Sequence, residues 1–423
     1  MRSHNTRSLI LMGLGSMSFT LPLTGMAEGF IDDTKATLTL RNAYINRNYT
    51  NPDYPNSRAP QSKAEEWTQN FILDVKSGFT QGTVGFGVDV LGMYSQKLDG
   101  GKGTAGTQLL PTGSDGEPAK NFGRLGVAAK AKFSNTELKV GEWMPVLPIL
   151  RSDDGRSLPQ TFRGAQITSK EIANLNLYGG QFRANSPRND ASMEDMSLNG
   201  KGAFTSDRFN FAGGDYTFNE KRTQVGAWYA ELENIYQQQF LNLIHSQPVG
   251  DVTLGANLGY FWGKEDGSKR AGELDNKTAS ALLSAKYKGN TLYVGLQRVY
   301  GDDGWFRVNG TSGGTLANDS YNSSYDLAKE RSWQLRHDLD FAVLGVPGLT
   351  MMNRYISGSN IHTATTTTDG KEWGRESELA YTVQSGTLKD LTVRWRNASI
   401  RRDYSAHEFD ENRIFISYPL SLL

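Results

Sequence analysis

The residues of this chain best placed to do chemistry are arginines, and their spacing is that of a strand. In "VRWRNASIRRDY", residues 393–404, Arg394 and Arg396 alternate with Val393 and Trp395. Successive side chains of a strand point to opposite faces. Both guanidinium groups therefore fall on one side and both apolar groups on the other. The same reading places Arg41 and Arg47 of "RNAYINR" opposite Leu38, Leu40 and Tyr44. It places Arg354 of "TMMNRYI" opposite Met351 and Tyr355, and Arg413 on the face away from Ile414, Ile416 and Tyr418. A guanidinium fork matches a carboxylate in two parallel hydrogen bonds. Several of them on neighbouring strands would make a track that holds and releases anions. The bland alternative is that each arginine pairs with a nearby acid and braces a wall.

Acids stand ready to oppose such a track. "LRSDDGRSLPQTFRG" (150–164) carries Asp153, Asp154, Arg156 and Arg163, and "YGDDGWFRVNG" (300–310) carries Asp302, Asp303 and Arg307. Opposed signs across a narrow passage set a field that selects and orients charged solutes. The spacing of Asp302 and Asp303 fits no EF-hand loop, so a solvated turn is the simpler reading of that pair. His337-Asp338 supplies residue types for acid–base catalysis, but strand alternation turns His337 to the apolar side. Metalloprotease, nucleophile-elbow and phosphate-loop motifs are absent. The sequence therefore suggests neither an enzyme nor a metal or organic cofactor.

These side chains need strands that are greasy on one face and polar on the other. Residues 252–262, "VTLGANLGYFW", set Val252, Leu254, Ala256, Leu258, Tyr260 and Trp262 against Thr253, Gly255, Asn257 and Gly259. Residues 84–92 and 333–341 alternate in the same way, and 281–297 reads as two strands around Gly289-Asn290. The polar faces are rich in glycine, which packs a soluble core badly. Aromatic residues recur near strand ends, as interfacial girdles do. An arginine facing lipid near the midplane costs about 2–4 kcal/mol, whereas one facing a water-filled lumen stays hydrated. These observations predict an all-β chain: a single transmembrane antiparallel β-barrel with its arginines turned inward. The stretch 230–243 has helix-forming composition and is the least strand-like segment.

The bulk numbers agree. The 423 residues carry 45 basic and 45 acidic side chains and no cysteine. A neutral balance argues against nucleic-acid binding, and the missing cysteines exclude disulfides and thiolate sites. Arg2 and Arg7, the apolar stretch from Leu9 to Leu23, and Gly25-Met26-Ala27 read as an export signal cleaved after Ala27. That leaves residues 28–423 for the barrel. Tight turns at Thr80-Gln81-Gly82 and Gly289-Asn290 alternate with long polar stretches at 95–121, 142–163, 302–325 and 358–371. Short turns on one side and long loops on the other suit an outer-membrane barrel. At roughly 40 to 45 residues per hairpin the chain holds about eighteen strands.

Longer stretches carry a family resemblance. "RNAYINRNY" (41–49), "SGFTQGTVGFGVDVLG" (77–92), "LPQTFRGAQITSKEI" (158–172), "FNFAGGDYTF" (209–218) and "ERSWQLRHDLDFA" (330–342) resemble the OprD family of substrate-specific outer-membrane porins. So do "VPGLTMMNRYISG" (346–358), "QSGTLKDLTVRWRNASIRRD" (384–403) and "DENRIFISYPL" (410–420), and the matches run in order along the chain. The likeness is greatest to the carboxylate-specific branch of Pseudomonas-type bacteria. It implies an eighteen-stranded barrel, monomeric or weakly trimeric, inserted by the barrel assembly machinery among outer-membrane lipid and lipopolysaccharide. It also implies that the third and seventh loops, near 142–163 and 302–325, fold into the lumen opposite a basic ladder. On the motifs quoted, that ladder includes Arg47, Arg394, Arg396 and Arg413, with Arg156, Arg183 and Arg307 as further contributors. The function implied is passive uptake of small carboxylates, benzoate-like or vanillate-like. The alternatives are a channel for basic amino acids or peptides, a general porin and, remotely, a barrel enzyme.

Overall fold

The computed structural model describes residues 29–51, 61–363 and 369–423. The export signal read at 1–27 lies outside them. The chain runs up and down through β1 (Lys35–Tyr49), β2 (Lys63–Lys76), β3 (Gly85–Asp99), β4 (Asn121–Phe133) and β5 (Thr136–Trp143). After a short hairpin, β6 (Val146–Leu147) with β7 (Leu150–Arg151), it continues through β8 (Thr161–Ser169) and β9 (Leu175–Ser186). A second hairpin, β10 (Met196–Leu198) with β11 (Lys201–Ser206), precedes β12 (Phe209–Phe218), β13 (Thr223–Leu232) and β14 (Tyr236–Val249). Then come β15 (Val252–Glu265), β16 (Asp275–Tyr287), β17 (Asn290–Tyr300) and β18 (Arg331–Asp340). The last four are β19 (Leu349–Ile361), β20 (Gly370–Thr382), β21 (Thr392–Arg402) and β22 (Phe409–Ser421). Leaving out the two hairpins, 18 strands form one antiparallel sheet, and β22 pairs with β1 to close it. Closure leaves no edge, so every ladder hydrogen bond can be made inside a membrane.

Strand alternation holds through the walls. Leu292, Val294 and Leu296 on β17, Trp333 and Leu335 on β18, and Val393 and Trp395 on β21 are exposed on the outer face. His337 shares that face and meets Asn290 Oδ1 at 3.0 Å. The stretch 230–243 is extended: β13 and β14 are joined by residues 233–235 alone. Strand pairing on both sides overrides its helix-forming composition.

The inner face departs from the sequence reading. It is polar on one side of the barrel and aromatic on the other. Phe162, Phe182, Phe209, Phe211, Trp228, Phe240 and Phe261 are buried inside the barrel with Leu147, Ile149 and Leu150 of the third loop and Trp305, Phe306 and Leu316 of the seventh. Each such side chain gains about 1.5–3 kcal/mol on leaving water, and this anchors the loops inside the lumen. Glycine on the inner face makes room for them. A Cβ at Gly263 would stand 2.9 Å from the Phe306 ring. The third loop spans 144–160 and the seventh 301–330, shorter and longer respectively than the sequence suggests. A further long connection, 187–208, carries the β10–β11 hairpin and was not foreseen.

Candidate functional site

The polar half of the lumen is built by strand register. On β20, Glu372, Glu376 and Glu378 share the inward face. Cα partners set Glu372 opposite Arg402, Glu376 opposite Arg354 and Glu378 opposite Arg396. Glu411 on β22 stands opposite Arg47 on β1. The ion pairs follow: Arg402 Nε to Glu372 at 2.7 Å, Arg354 Nη2 to Glu376 at 2.5 Å and Arg396 Nε to Glu378 at 2.5 Å. Arg47 Nη2 and Arg413 Nε approach the two oxygens of Glu411 at 2.7 and 2.5 Å. Arg394 shares Glu378 loosely, at 3.4 Å, and its Nε makes no hydrogen bond. Four carboxylates thus serve six arginines, which leaves a surplus of positive charge on this wall.

Loop residues complete the site. Tyr321, in the seventh loop, lies under Arg396 at 3.8 Å and Arg354 at 4.6 Å from its ring centroid. Its hydroxyl donates to Glu378 Oε2 at 2.8 Å, and its carbonyl accepts from Arg413 Nη2 at 3.1 Å. Through its ring and its carbonyl, this one residue ties the loop to three arginines of the wall. From the third loop, Asp154 accepts both terminal nitrogens of Arg41, at 2.7 and 3.1 Å. Asp153 pairs with Arg188 at 2.8 Å. Burial raises the Asp153 carboxyl, but Arg188 and Arg156 outweigh it and hold the group below its ordinary value. Arg156 is buried and donates to two backbone carbonyls, Thr107 and Gly155, each at 2.9 Å. Burial, with Arg413 and Arg188 nearby, depresses this guanidinium well below its usual range.

These groups surround a cavity of about 940 Å³ whose lining includes eleven arginines and three aspartates. Eight of the arginines expected from sequence are among them: Arg41, Arg47, Arg156, Arg307, Arg354, Arg394, Arg396 and Arg413, with Asp153 and Asp154. Arg307 is held by Asp326 at 3.3 Å and by the Thr311 carbonyl at 2.6 Å. Three expected residues stand elsewhere. Arg183 lies on the face of β9 opposite buried Phe182, so alternation turns it outward, where it meets Asp207 at 2.6 Å. Asp302 is exposed at the start of the seventh loop and pairs with Lys329 at 2.8 Å. Asp303 pairs with Lys201 at 3.0 Å and caps the Asp275 N–H. Both acids sit where the loop leaves the wall, before it turns into the lumen.

The sequence reading missed the carboxylates behind the ladder, and also Arg151, Arg188 and Arg402. "KEWGRESELA" (371–380) does carry a signal, because Glu372, Gly374, Glu376 and Glu378 alternate with Trp373, Arg375 and Leu379. Arg188 is positioned by loop folding, and no periodicity announces it.

One lining acid is poised to titrate. Burial lifts the Asp319 carboxyl to about 6, against the pull of Ser324, Arg307 and Arg354 and with Asp326 adding to the rise. Ser324 Oγ donates to it at 2.7 Å. Its raised value means that acid neutralises it and removes one negative charge from the lining. Chloride preference, read as reversal potential under a salt gradient, is therefore expected to rise between pH 7.5 and 5. Asp319→Asn should show the acid-side potential already at pH 7.5. Potentials identical to wild type at pH 7.5 would remove Asp319 from the conduction path.

Comparison with known proteins supplies the family. The fold aligns with the crystal structure of a BenF-like porin from Pseudomonas fluorescens Pf-5 at a TM-score of 0.91 and 74% identity, covering 93% of this chain and 100% of the other. Pseudomonas aeruginosa OccK2 (OpdF), solved in complex with glucuronate, aligns at 0.86 and 63% identity over the same shares. Pseudomonas aeruginosa OpdK, solved with vanillate, aligns at 0.87 and 48%, again over 93% and 100%. These relatives are channels of the bacterial outer membrane. The family model described as outer membrane porin, OprD family, matches residues 28–422, and with the closed barrel and its arginine-lined lumen this places the chain in the OprD family of outer-membrane porins.

Proposed function

We propose that this porin takes up small carboxylates, cyclic or aromatic acids of benzoate or vanillate size or sugar acids, by passive diffusion. The observation that carries the reading is the surplus of guanidinium over carboxylate around the cavity, eleven arginines against three lining aspartates and the four glutamates behind them. Arg156 and Arg394 in particular have no carboxylate hydrogen bond. A carboxylate drawn from outside would meet these two groups with donors to spare. It would exchange part of its hydration for charge-assisted hydrogen bonds. The arginines already paired with Glu372, Glu376, Glu378 and Glu411 are tempered by those acids. That keeps the hold on the solute weak enough for release, as conduction requires. The cavity volume falls within the usual range for small-molecule sites, about 300–1,000 Å³. The two ligands named for the relatives, glucuronate and vanillate, are both carboxylates.

Single-channel recording with a panel of solutes tests this. Benzoate, vanillate and glucuronate are expected to interrupt the current at millimolar concentration, while glucose and benzyl alcohol leave it unchanged. Interruption by lysine or arginine alone would favour a channel for basic solutes. Indifference to all of them would leave a general pore.

A further inference from the structure

The outer surface of the barrel also carries arginines, and those of β9, β20 and β21 are neutralised or hydrogen-bonded. Arg183 meets Asp207 at 2.6 Å, Arg401 meets Asp410 at 3.0 Å, and Arg375 donates to Asn397 Oδ1 at 2.6 Å. Arg298 and Arg331 are different. They are direct cross-strand partners on β17 and β18, both exposed and both on the outward face. Neither guanidinium has an ion-pair or hydrogen-bond partner among the described residues. The Tyr300 ring, 4.4 Å from the Arg298 guanidinium, is an aromatic neighbour and supplies no anion. Lys277 on β16 is exposed and likewise unpaired among the described residues, and its cross-strand partner is Tyr300. The nearby acids are engaged or opposed. Asp302 is taken by Lys329, and Asp275 stands opposite Lys264.

Like charges directly opposite on two strands repel, with Cβ atoms about 4.5–5.5 Å apart. Burying them against lipid costs more, except near the interface, where the penalty falls away. The pair sits at that level. Outward residues of β17 run Leu292, Val294, Leu296 and then Arg298 and Tyr300 towards the loop end. Those of β18, from the loop end, run Arg331, Trp333 and Leu335. Three cations therefore mark the upper edge of the apolar band, with tryptophan and tyrosine beside them. Long loops face outward in outer-membrane barrels, so this edge meets the outer leaflet.

We propose that Arg298 and Arg331, assisted by Lys277, bind a sugar phosphate of a phosphorylated glycolipid in the outer leaflet. Two guanidinium forks so close together can grip one phosphate from two sides. Leu296, Trp333 and Leu335 below them offer apolar surface to the acyl chains of the same molecule.

Native mass spectrometry of the detergent-purified porin tests the site, with diphosphoryl lipid A, its dephosphorylated form and inorganic pyrophosphate as probes. Wild type is expected to retain diphosphoryl lipid A and not the dephosphorylated form. Arg298→Ser and Arg331→Ser should each weaken retention by about tenfold or more, as loss of a charge-assisted contact implies. Arg401→Ser should leave it unchanged. Heat-dependent gel migration and single-channel conductance report folding, and both should stay at wild-type values because these side chains point away from the lumen. Should one serine variant fail to fold, the other still decides the matter. Equal retention by wild type and variant, or equal binding of the dephosphorylated lipid, would overturn the proposal. So would displacement of the lipid by pyrophosphate at matching concentration, which would mark a site for free anions. Loss of an oligomer in the variant with lipid binding intact would instead assign the patch to a second copy of the chain, and would overturn it too.

Discussion

Replacing Arg394 and Arg396 together by alanine should lower the flux of a small carboxylate about ten- to a hundredfold while leaving that of a neutral sugar within about twofold. The two positions differ in what they lose. Arg396 is held by Glu378 and stacked on Tyr321, so its removal also loosens the seventh loop. Arg394 is only loosely paired and contributes mainly charge. Each lost charge-assisted hydrogen bond is worth about 1.5–3 kcal/mol where it stabilises the solute at the constriction. Alanine also widens the passage, which aids a neutral solute and partly offsets the loss for an anion. Liposome swelling with benzoate and with arabinose, on the same preparation, separates the two effects. An equal fall for both solutes would reduce the ladder to a wall support, and an unchanged carboxylate flux would move selection elsewhere.

Glu411→Gln is expected to act in the opposite sense on charge and to be the most damaging single change to stability. Glu411 is 1% exposed and neutralises Arg47 from the neighbouring strand and Arg413 from its own. Glutamine keeps the shape but abandons both guanidinium groups. Removing one member of a buried ion pair costs about 3–5 kcal/mol, because the other remains charged and unsolvated. The temperature at which the barrel loses its compact gel migration should fall accordingly. Channels that do form should be more anion-selective than wild type, since one negative charge has left the lumen. A variant with normal melting would mean that Arg413 is satisfied by Tyr321 and Asn322 alone.

Much of this molecule is legible in the residues, for a physical reason. A barrel wall alternates between two solvents, so a period of two states which side each residue faces. Parity alone places Arg47, Arg354, Arg394, Arg396 and Arg413 inward, and His337 outward. Glu372, Glu376 and Glu378 obey it as plainly as the arginines do, yet their role appears only when register sets them opposite Arg402, Arg354 and Arg396. Pairing between strands is a property of the sheet, and one strand read alone does not contain it. Loops carry no period at all. The composition of 150–164 marks Asp153 and Arg156, nothing marks Arg188, and Arg183, which the family resemblance offers, has the parity of the outer face opposite Phe182. The aromatic filling of one half of the lumen was missed because Phe240 and Phe261 lie on the face expected to be wet.

Ring closure has a consequence for the order of assembly. Arg47 and Glu411 bond across 364 positions of sequence, at the junction of the first strand and the last. Contacts that distant form late, because the entropy of closing so long a loop must be met before they contribute anything. Any partly stitched sheet inserted in the bilayer would therefore lack the Arg47–Glu411 contact. Selectivity and watertightness arrive in the same event, when the final seam is sealed. Damage to that seam is a fault in construction, and it would be felt in how many working channels reach the membrane before it is felt in how each one conducts.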